Sequence, residues 1–374
     1  MNIKKLYIGI LIVTLLMSHV ATFAQSSCWS NFRGNPELTG VTNASLPKNI
    51  ALLWNFKTSD AIKAPPVVCN GTIVIGSVDG SIYGISLKGA LKWKISTENG
   101  IEAPALIVGD LAYIGDLYGL LYAIELETGK VRWTYETEGQ IMGAPNYFED
   151  GKVKVIVLGS YDYYLHGIDA KTGKGLWKYE SDNFINGAAS IYEGNAIFGG
   201  CDGLLHKVRV TDGKEISSQS VATYVAGSPA LENGRAYVGD YDGQFTCLDV
   251  NSSKIVWSYI DKENQLPIIG SPSLSAKRVY IGSRDKFMYC FNKADGKIIW
   301  KVNTRSRVDA SPVLVGKKLV VGNMRGDLLI LNASDGKTTW SYELGTPILS
   351  NPAVIDGYII VTAQDGRVYC FGNK

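Results

Sequence analysis

Histidine is scarce in this chain of 374 residues, which contains only His19, His166 and His206. His166 and His206 stand at one position of an internal repeat, where other copies of the repeat carry tyrosine. Both are therefore interpreted as substitutes at a repeated strand position. This interpretation argues against a histidine-based metal site and against a Ser-His-Asp triad.

The sequence also lacks a net charge and a basic cluster. It has 37 Lys and Arg residues against 35 Asp and Glu residues. Residues 1–24 contain two lysines and no acidic residue, so 37 minus 2 leaves 35 basic side chains against 35 acidic ones in the rest of the chain. A neutral chain without a basic run lacks the electrostatic pattern of a nucleic-acid-binding protein. We therefore expect no nucleic acid among its partners.

Long apolar runs are confined to the N terminus. Lys4 and Lys5 precede the mostly apolar stretch Leu6–Val20, and the small residue Ala24 follows shortly after. This order is typical of a secretory signal peptide, and the run is too short for a good membrane anchor. We predict a signal peptide at residues 1–24, cleaved after Ala24, and hence a periplasmic or secreted protein.

The chain has six cysteines, and none of them is adjacent to another. Cys247, Cys290 and Cys370 occupy one equivalent position in three repeats, where other repeats carry alanine or glycine. Equivalent positions in different repeats rarely come within disulfide distance, so these three cysteines are interpreted as small buried residues, and free thiols are expected for all six. Cys28 lies close to the predicted cleavage site, so an outer-membrane lipoprotein is the alternative. The aliphatic residue expected three positions before a lipidated cysteine is missing there.

An internal repeat dominates the sequence after the N-terminal stretch. A proline that follows a small residue recurs at intervals of 39 to 44 residues, with Ala189 in the one gap. A tryptophan recurs in phase with it, with Ser217 in its one gap. Two residue series that share one period indicate a repeat protein. The members of the two series are Pro65, Pro104, Pro145, Pro229, Pro272, Pro312 and Pro352, and Trp54, Trp93, Trp133, Trp177, Trp257, Trp300 and Trp340.

Each repeat reads as four short strands. In the first, short β-rich runs are separated by Asn70-Gly71, Asp79-Gly80 and Lys88-Gly89, which suit tight turns. The last repeat ends before its tryptophan strand, and a spare one stands at the front around Trp54. We predict an all-β, eight-bladed β-propeller of four-stranded antiparallel blades, in which the Trp54 strand completes the last blade. A lead-in segment at 25–52 would precede the propeller at 53–374.

A short motif marks the turn into the fourth strand. Residues 127–133 and 171–177 carry Thr-Gly-Lys followed by tryptophan, and 295–300 and 335–340 are close variants. These motifs, and the opening stretch Trp29–Pro36, resemble the pyrroloquinoline-quinone-like (PQQ-like) repeat of quinoprotein dehydrogenases and of BamB-type outer-membrane assembly propellers. The resemblance implies the fold strongly. It implies function weakly, because the glycine and tryptophan of the motif have structural roles.

The resemblance also implies that some relatives hold a quinone and Ca²⁺ in the central channel, with Glu and Asn ligands, an Asp base and a pair of adjacent cysteines. Here Glu102 and Asn186 are ligand types that Ca²⁺ would use, and Lys63 and Asp309 are the other polar candidates. Half of the channel-mouth ring is apolar, so we expect no cofactor, with PQQ and Ca²⁺ only under the alternative function. The ring consists of Lys63, Glu102, Met142, Asn186, Ala226, Ile269, Asp309 and Leu349.

The turns between second and third strands lie on the same face as the channel mouth. They carry residue types that are enriched in binding hot spots, although such tips could also simply cover the blade edges. We predict a non-catalytic, monomeric scaffold that docks envelope proteins, including outer-membrane β-barrel assembly components. The alternative is a quinone- or small-ligand-binding propeller without a complete active site. The candidate partner-binding residues are Leu117, Tyr118, Tyr161, Tyr163, Tyr241, Arg284, Met324 and Arg325.

Overall fold

The computed structural model describes residues 28–221 and 223–374. The predicted signal peptide and its cleavage site after Ala24 lie outside the described residues. A single 3-10 turn at Phe32–Gly34 is the only helical element in the described ranges. Accordingly, this part of the chain contains no helix with the length and apolar character needed to cross a bilayer.

The described residues form eight sheets, each with a four-stranded antiparallel blade, which confirms the predicted eight-bladed propeller. The sheet of blade 7 has a fifth strand, Val41–Thr42, which pairs parallel with Val313–Val315. The strands of blades 1 and 2 are Val67–Cys69, Thr72–Ser77, Ser81–Ser86 and Leu91–Ser96, then Leu106–Val108, Leu111–Gly115, Leu120–Glu125 and Val131–Glu136. Those of blades 3 and 4 are Asn146–Glu149, Lys154–Gly159, Tyr164–Asp169 and Gly175–Glu180, then Ser190–Tyr192, Asn195–Gly199, Leu204–Arg209 and Glu215–Ser220.

The second half of the ring continues the same pattern. The strands of blades 5 and 6 are Ala230–Glu232, Arg235–Gly239, Gln244–Asp249 and Lys254–Ile260, then Ser273–Leu274, Arg278–Gly282, Phe287–Asn292 and Ile298–Asn303. Those of blades 7 and 8 are Val313–Val315, Lys318–Gly322, Asp327–Asn332 and Thr338–Glu343, then Ala353–Ile355, Tyr358–Thr362, Arg367–Asn373 and the N-terminal strand Ile50–Lys57.

Burial shows how the strands are arranged around the axis. The first strands of neighbouring blades contact one another, as those of blades 3 and 4 do, so they are innermost. The second strand of blade 1, Thr72–Ser77, is buried throughout, whereas its fourth strand, Leu91–Ser96, alternates towards solvent. We call the face with the interblade loops and the turns between second and third strands the upper face. The face with the remaining turns is the lower face.

The tryptophan of the motif joins blades to their neighbours, except in blade 4, where Ser217 stands in its place. The Trp93 indole Nε1 donates to the backbone oxygen of Leu126 in blade 2 at 2.8 Å. Gly129, with φ +73°, lies against the same indole, and a Cβ there would come within 2.7 Å of Trp93 Cγ. Trp177 and Trp257 donate in the same way across the interfaces of blades 3 and 4 and of blades 5 and 6, whereas the Nε1 of Trp133 in blade 2 has no hydrogen-bond partner. The motif is therefore a contact between blades, as its structural interpretation requires.

The ring closes through the two ends of the chain. Strand Ile50–Lys57 pairs antiparallel with Arg367–Asn373, and Trp54 lies opposite Cys370. This confirms that the N-terminal tryptophan strand completes the last blade. The strand begins at Ile50, three residues before the predicted start of the propeller.

The repeat alignment of the sequence is one residue out of register in blades 1 and 2. Every other first strand starts directly after the repeated proline position, as Ser273 follows Pro272. In blades 1 and 2 that position is held by Pro66 and Ala105, not by Pro65 and Pro104. In these two blades a small residue and a proline stand one position before the true repeat pair, in Ala64-Pro65-Pro66 and in Ala103-Pro104-Ala105. The sequence pattern therefore selected a proline one residue too early.

The N-terminal segment runs around the ring from blade to blade, on the side of the channel away from the upper face. Residues 29–45, which we call the belt, contact the blades in chain order. Trp29 pairs with Val68 of blade 1, and Ser45 accepts a hydrogen bond from Gly357 of blade 8. In between, the belt carbonyls of Ser30, Pro36, Glu37, Thr39 and Gly40 accept hydrogen bonds from the backbone amides of Ile107, Ile191, Leu231, Leu274 and Leu314.

A buried arginine fixes the belt to blades 6 and 7. Arg33 is fully buried, and its Nη2 donates to the backbone oxygens of Pro272 at 3.0 Å and Pro312 at 2.6 Å. The same nitrogen donates to Ser273 Oγ at 3.0 Å. Burial lowers the pKa of Arg33 to about 9. The cost of burying the guanidinium is offset in part by these bonds, which link the belt to two blades.

A disulfide joins Cys28 to Cys69 at the lower end of the first strand of blade 1, with a Cα–Cα distance of 4.2 Å. The expectation of six free thiols is therefore wrong for this pair. The argument from equivalent repeat positions did not apply to them, because the belt brings Cys28 beside blade 1. Cys201, Cys247, Cys290 and Cys370 are unpaired in the described ranges, and the last three are buried.

Candidate functional site

The central channel contains a cavity of about 190 Å³ that lies above the belt. The structure places all eight residues of the predicted channel-mouth ring around it, including Lys63, Glu102, Asn186 and Asp309. Phe32 of the belt also lines the cavity. The belt therefore lies across the channel on the side away from the upper face.

The charges of the ring residues are neutralised by ion pairs. Lys63 Nζ lies 2.6 Å from Glu102 Oε1, across the interface of blades 1 and 2. Arg284 forms a two-point contact with Asp309, from Nε to Oδ1 and from Nη2 to Oδ2, both at 3.1 Å. Both carboxylates are thus already paired with a cation from a neighbouring blade.

Asn186 is held by two neighbours on its own side of the cavity. Its Nδ2 donates to Cys201 Sγ at 3.1 Å and also to Tyr224 Oη. Burial raises the pKa of the Cys201 thiol, which works against formation of a reactive thiolate. This polar group stabilises the loops of blades 4 and 5 at the mouth and provides no nucleophile.

The residues of the cavity do not fit the quinone and Ca²⁺ centre that the resemblance implies. Both carboxylates of the ring, Glu102 and Asp309, are paired with cations. The buried Oδ1 of Asn186 has no hydrogen-bond partner, but one amide oxygen does not make the six to eight oxygen ligands that Ca²⁺ takes. Among the described residues, no group of three or more His, Cys, Asp or Glu side chains could hold a metal ion. A cavity of about 190 Å³ is also smaller than the roughly 300–1,000 Å³ of usual small-molecule sites.

The wall of the cavity is tied together by serine hydroxyls. Ser228 Oγ accepts from the amide of Ala188 at 2.8 Å, and Ser271 Oγ accepts from the amide of Ser228 at 3.1 Å. Ser311 Oγ continues the series by accepting from the amide of Ser271 at 2.8 Å. These bonds join blades 4 to 7 at one level, which gives the cavity a rigid wall.

Aromatic side chains form two clusters on the rim of the upper face, above blades 3 to 6. Tyr161 and Tyr163 both stack on Phe184, with ring centroids 4.7 and 5.0 Å apart. Tyr224 meets Tyr241 edge to face at 4.5 Å. The Arg284 guanidinium lies 5.8 Å from the centroid of Tyr241. We call these six residues the rim patch.

The rim patch rests on rigid turns. In blade 3 the amide of Tyr161 donates to the backbone oxygen of Gln140 at 2.9 Å, which ties the turn to the interblade loop of the same blade. In blade 5 the amide of Tyr241 donates to the backbone oxygen of Tyr224 at 3.1 Å. Because these bonds fix the backbone of the turns, the aromatic side chains have little freedom to fold back onto the propeller surface.

The structure brings together only part of the predicted partner-binding face. Tyr161, Tyr163, Tyr241 and Arg284 belong to the rim patch. The others lie outside it on the same face, on blades 2 and 7: Tyr118 is 71% exposed, Arg325 is exposed, and Leu117 and Met324 are half-buried.

Sequence reasoning missed Phe184 and Tyr224, which complete the patch. They come from the interblade loops and not from the turns between second and third strands. Each stands two residues before a member of the channel-mouth ring, Asn186 and Ala226. A comparison of that column across the repeats would have shown two aromatics in neighbouring blades.

The two histidines of the described residues lie within blades and away from the cavity. His166 is fully buried, with Nε2 at 3.0 Å from Asp162 Oδ2 and Nδ1 at 3.0 Å from Tyr135 Oη. His206 repeats this arrangement with Asp202 in blade 4. In other blades a tyrosine makes the same bond to the turn aspartate, as Tyr83 does to Asp79. The histidines are therefore structural variants of that bond.

Comparison with known proteins assigns the family. The profile of a family described as outer membrane protein assembly factor BamB matches residues 89–224, 189–288 and 284–373. The chain belongs to this family of PQQ-like repeat propellers. A search of curated proteins gave no match.

Solved structures show the same fold at low sequence identity. BamB from Moraxella catarrhalis is 21% identical with a TM-score of 0.73, and the match covers 86% of this chain and 97% of that one. A europium-containing methanol dehydrogenase is 14% identical with a TM-score of 0.77, covering 92% and 98%. The quinohemoprotein alcohol dehydrogenase of Comamonas testosteroni is 14% identical with a TM-score of 0.76, covering 94% and 81%. Similarity both to an assembly factor and to dehydrogenases leaves function to be argued from the site.

Proposed function

We propose that this protein is an exported, non-catalytic propeller scaffold that docks protein partners of the cell envelope through the rim patch. The observation that carries the proposal is the patch itself, in which stacked aromatic side chains remain in solvent on a rigid base. Phe184 is 36% exposed, Tyr163 44% and Tyr241 41%. Export is expected from the signal-like sequence of residues 1–24.

The composition of the rim patch supports protein binding. Tyrosine and arginine are enriched among residues that dominate binding energy, because they bury a large area at a small entropic cost while keeping a polar group. Arg284 is both paired with Asp309 and close to Tyr241, so its guanidinium is already oriented. A partner would therefore meet a preorganised surface.

The family description indicates the class of partner. BamB is named as an assembly factor of outer membrane proteins. Components of outer-membrane β-barrel assembly are therefore the first candidates for this chain. A photo-crosslinking amino acid introduced at Tyr163 or Tyr241 should capture such a component in living cells.

A matched control uses the lower face. The same crosslinker at Glu193, on a lower-face turn of blade 4, should capture far less of the component. Tyr163→Ala and Tyr241→Ala should weaken co-purification of the captured protein while leaving the thermal unfolding midpoint nearly unchanged. Equal capture from Tyr163, Tyr241 and Glu193 would reject the rim patch as the docking surface.

The alternative of a quinone- or small-ligand-binding propeller has a direct test. Purified protein would be mixed with PQQ and Ca²⁺, separated from free cofactor and examined by absorption spectroscopy and dye-linked alcohol oxidation. The paired state of Glu102 and the size of the cavity lead us to expect neither a bound chromophore nor activity. A retained chromophore would favour the alternative over the scaffold.

A further inference from the structure

The lower face carries a concave groove between blades 6 and 7, far from the rim patch. Its volume is about 620 Å³, within the roughly 300–1,000 Å³ of usual small-molecule sites. The turns at the ends of the first and third strands form its two sides. The side chains that carry the argument are Ser275, Lys277, Arg278, Lys317, Asn332 and Ser334.

The groove is charged with one sign. It is lined by three cations, Lys277, Arg278 and Lys317, and none of its lining residues carries a carboxylate. The nearby acidic residues are engaged elsewhere: Asp295 lies 3.6 Å from Lys297, and Asp335 lies 4.0 Å from Lys337. Concave surfaces lined by charges of one sign raise the local concentration of the opposite ion.

One of the cations is already oriented across the groove. Arg278 belongs to blade 6, and its Nη1 donates to the backbone oxygens of Ala333 at 2.9 Å and Ser334 at 3.0 Å in blade 7. These bonds use one end of the guanidinium and hold its plane against the opposite wall. Lys277 and Lys317 are exposed beside it, one on each blade.

The neighbouring groove between blades 5 and 6 offers an internal comparison. It has a similar volume of about 540 Å³, but it contains Glu232, which forms an ion pair with Lys293. In the groove of blades 6 and 7, Ser275 stands in the place of Glu232, and Lys277 stands where blade 5 has Gly234. Lys277 lines both grooves, and the groove of blades 5 and 6 also has three cations, Arg235, Lys277 and Lys293. The two grooves therefore differ in charge by the carboxylate of Glu232.

We propose that the groove between blades 6 and 7 binds a phosphate-bearing ligand. A phosphate group carries about −1.5 to −2 charges at neutral pH and three acceptor oxygens, which suits a groove lined by three cations better than a single carboxylate does. The hydroxyls of Ser275 and Ser334 donate within their own turns, to Arg278 O and to Asn332 Oδ1, so the amide nitrogen of Asn332 is the neutral donor left for a ligand. Leu314 gives the groove an apolar side. The phosphate could come from a soluble phosphate ester or from a lipid headgroup.

The test measures binding of inorganic phosphate by isothermal titration calorimetry, with sodium chloride at matched ionic strength as the reference. Lys277→Gln and Lys317→Gln should each weaken binding by about fivefold or more, the factor that corresponds to about 1 kcal/mol at 25 °C. Lys297→Gln and Lys337→Gln are matched controls, since these side chains are 82% exposed on the same face but outside the groove. Both controls should bind phosphate as the wild type does.

Ser275→Glu provides a second, independent variant. It restores the carboxylate that the groove of blades 5 and 6 carries, at a half-buried position of a turn, and should abolish phosphate binding without unfolding the ring. Binding that is unchanged in Ser275→Glu and in both groove lysine variants would overturn the proposal. The proposal would also fail if neither phosphate nor anionic vesicles bound to the wild type.

Vesicle co-sedimentation separates the two sources of phosphate. Vesicles of phosphatidylglycerol and phosphatidylcholine should bind the wild type, and lose it with Lys277→Gln, if the ligand is a lipid headgroup. Binding of free phosphate without vesicle binding would identify a soluble phosphate ester. Either result supports the groove as a phosphate site, and neither depends on whether the rim patch docks proteins.

Discussion

Gly40 and Arg33 are packed so closely in the belt that a Cβ on Gly40 would come within 1.9 Å of Arg33 Nη2. The backbone of Gly40 also has φ +66°, a left-handed conformation that side chains disfavour. Both constraints act where the belt crosses from blade 6 to blade 7. The fit of the belt over the channel therefore depends on this one glycine beside the buried guanidinium.

We predict that Gly40→Ala destabilises the protein more than an alanine at a glycine with the same conformation elsewhere. Gly109 has φ +62° and no atom within 4 Å of an added Cβ, so Gly109→Ala should cost only the backbone term of about 1–2 kcal/mol. Gly40→Ala should cost a further 1–3 kcal/mol, roughly, for overpacking against Arg33. Urea unfolding monitored by tryptophan fluorescence measures both. Equal losses would show that the belt adjusts freely around Arg33.

The disulfide should contribute strongly to stability. Cys28 and Cys69 are separated by 41 residues, and a cross-link over a loop of that size is worth about 4 kcal/mol in the chain-entropy description. The double variant Cys28→Ser, Cys69→Ser should therefore unfold at a clearly lower urea concentration than Cys201→Ser, the matched control. A reductant should lower the midpoint of the wild type and leave that of the double variant unchanged. A wild type insensitive to reductant would contradict the disulfide.

The remaining cysteines should differ in reactivity. Burial raises the pKa of Cys247 to about 11 and those of Cys290 and Cys370 to about 12, so almost no thiolate forms at pH 8. Cys201 is partly exposed at the rim. Titration of the native protein with Ellman's reagent should label Cys201 first, and the other three only on unfolding. Rapid labelling of three or more thiols in the native state would refute this order.

Acid unfolding should depend on His166. Burial alone would raise the pKa of Asp162, but hydrogen bonding to His166 and its charge lower the pKa from 3.8 to about 2. Because the folded-state pKa is depressed, this stabilisation is present above pH 3.8 and is lost as the pH falls towards 2. His166→Phe removes the partner, so its acid midpoint, followed by circular dichroism, should move to higher pH.

The control for this prediction is His166→Tyr. Tyr289 occupies the equivalent position in blade 6, and its hydroxyl donates to Asp285. A tyrosine at position 166 should therefore retain a hydrogen bond to Asp162 and unfold in acid closer to the wild type than the phenylalanine variant does. Identical acid midpoints for the two variants would show that the Asp162 bond contributes little.

The periodic features of the fold were predictable from the sequence. The tryptophan and glycine of each motif report a local contact between adjacent blades, so their spacing reveals the repeat and the closing strand at Trp54. The belt has no period, because each of its residues meets a different blade once. Its course and the disulfide from Cys28 to Cys69 therefore could not be derived from the repeat.

The candidate site was also predictable only in part. The channel-mouth ring follows from one repeat position, and the structure places all eight members around one cavity. The sequence did not show which of these residues are free to bind a ligand, because the ion pairs of Lys63 with Glu102 and of Arg284 with Asp309 join different blades. The rim patch was found in part, since Phe184 and Tyr224 come from loops that were searched only for channel residues.

The belt has a consequence for how the chain reaches its native state. Residues 29–45 are synthesised before any blade, yet their hydrogen-bond partners extend to Gly357, near the other end of the chain. Contacts between residues so distant in sequence are slow to form, because a large loop must close before they gain any stability. The belt is thus synthesised before the blades but is among the last segments to be fixed in place. A chain truncated within its last blade would leave both the ring and the belt contacts incomplete.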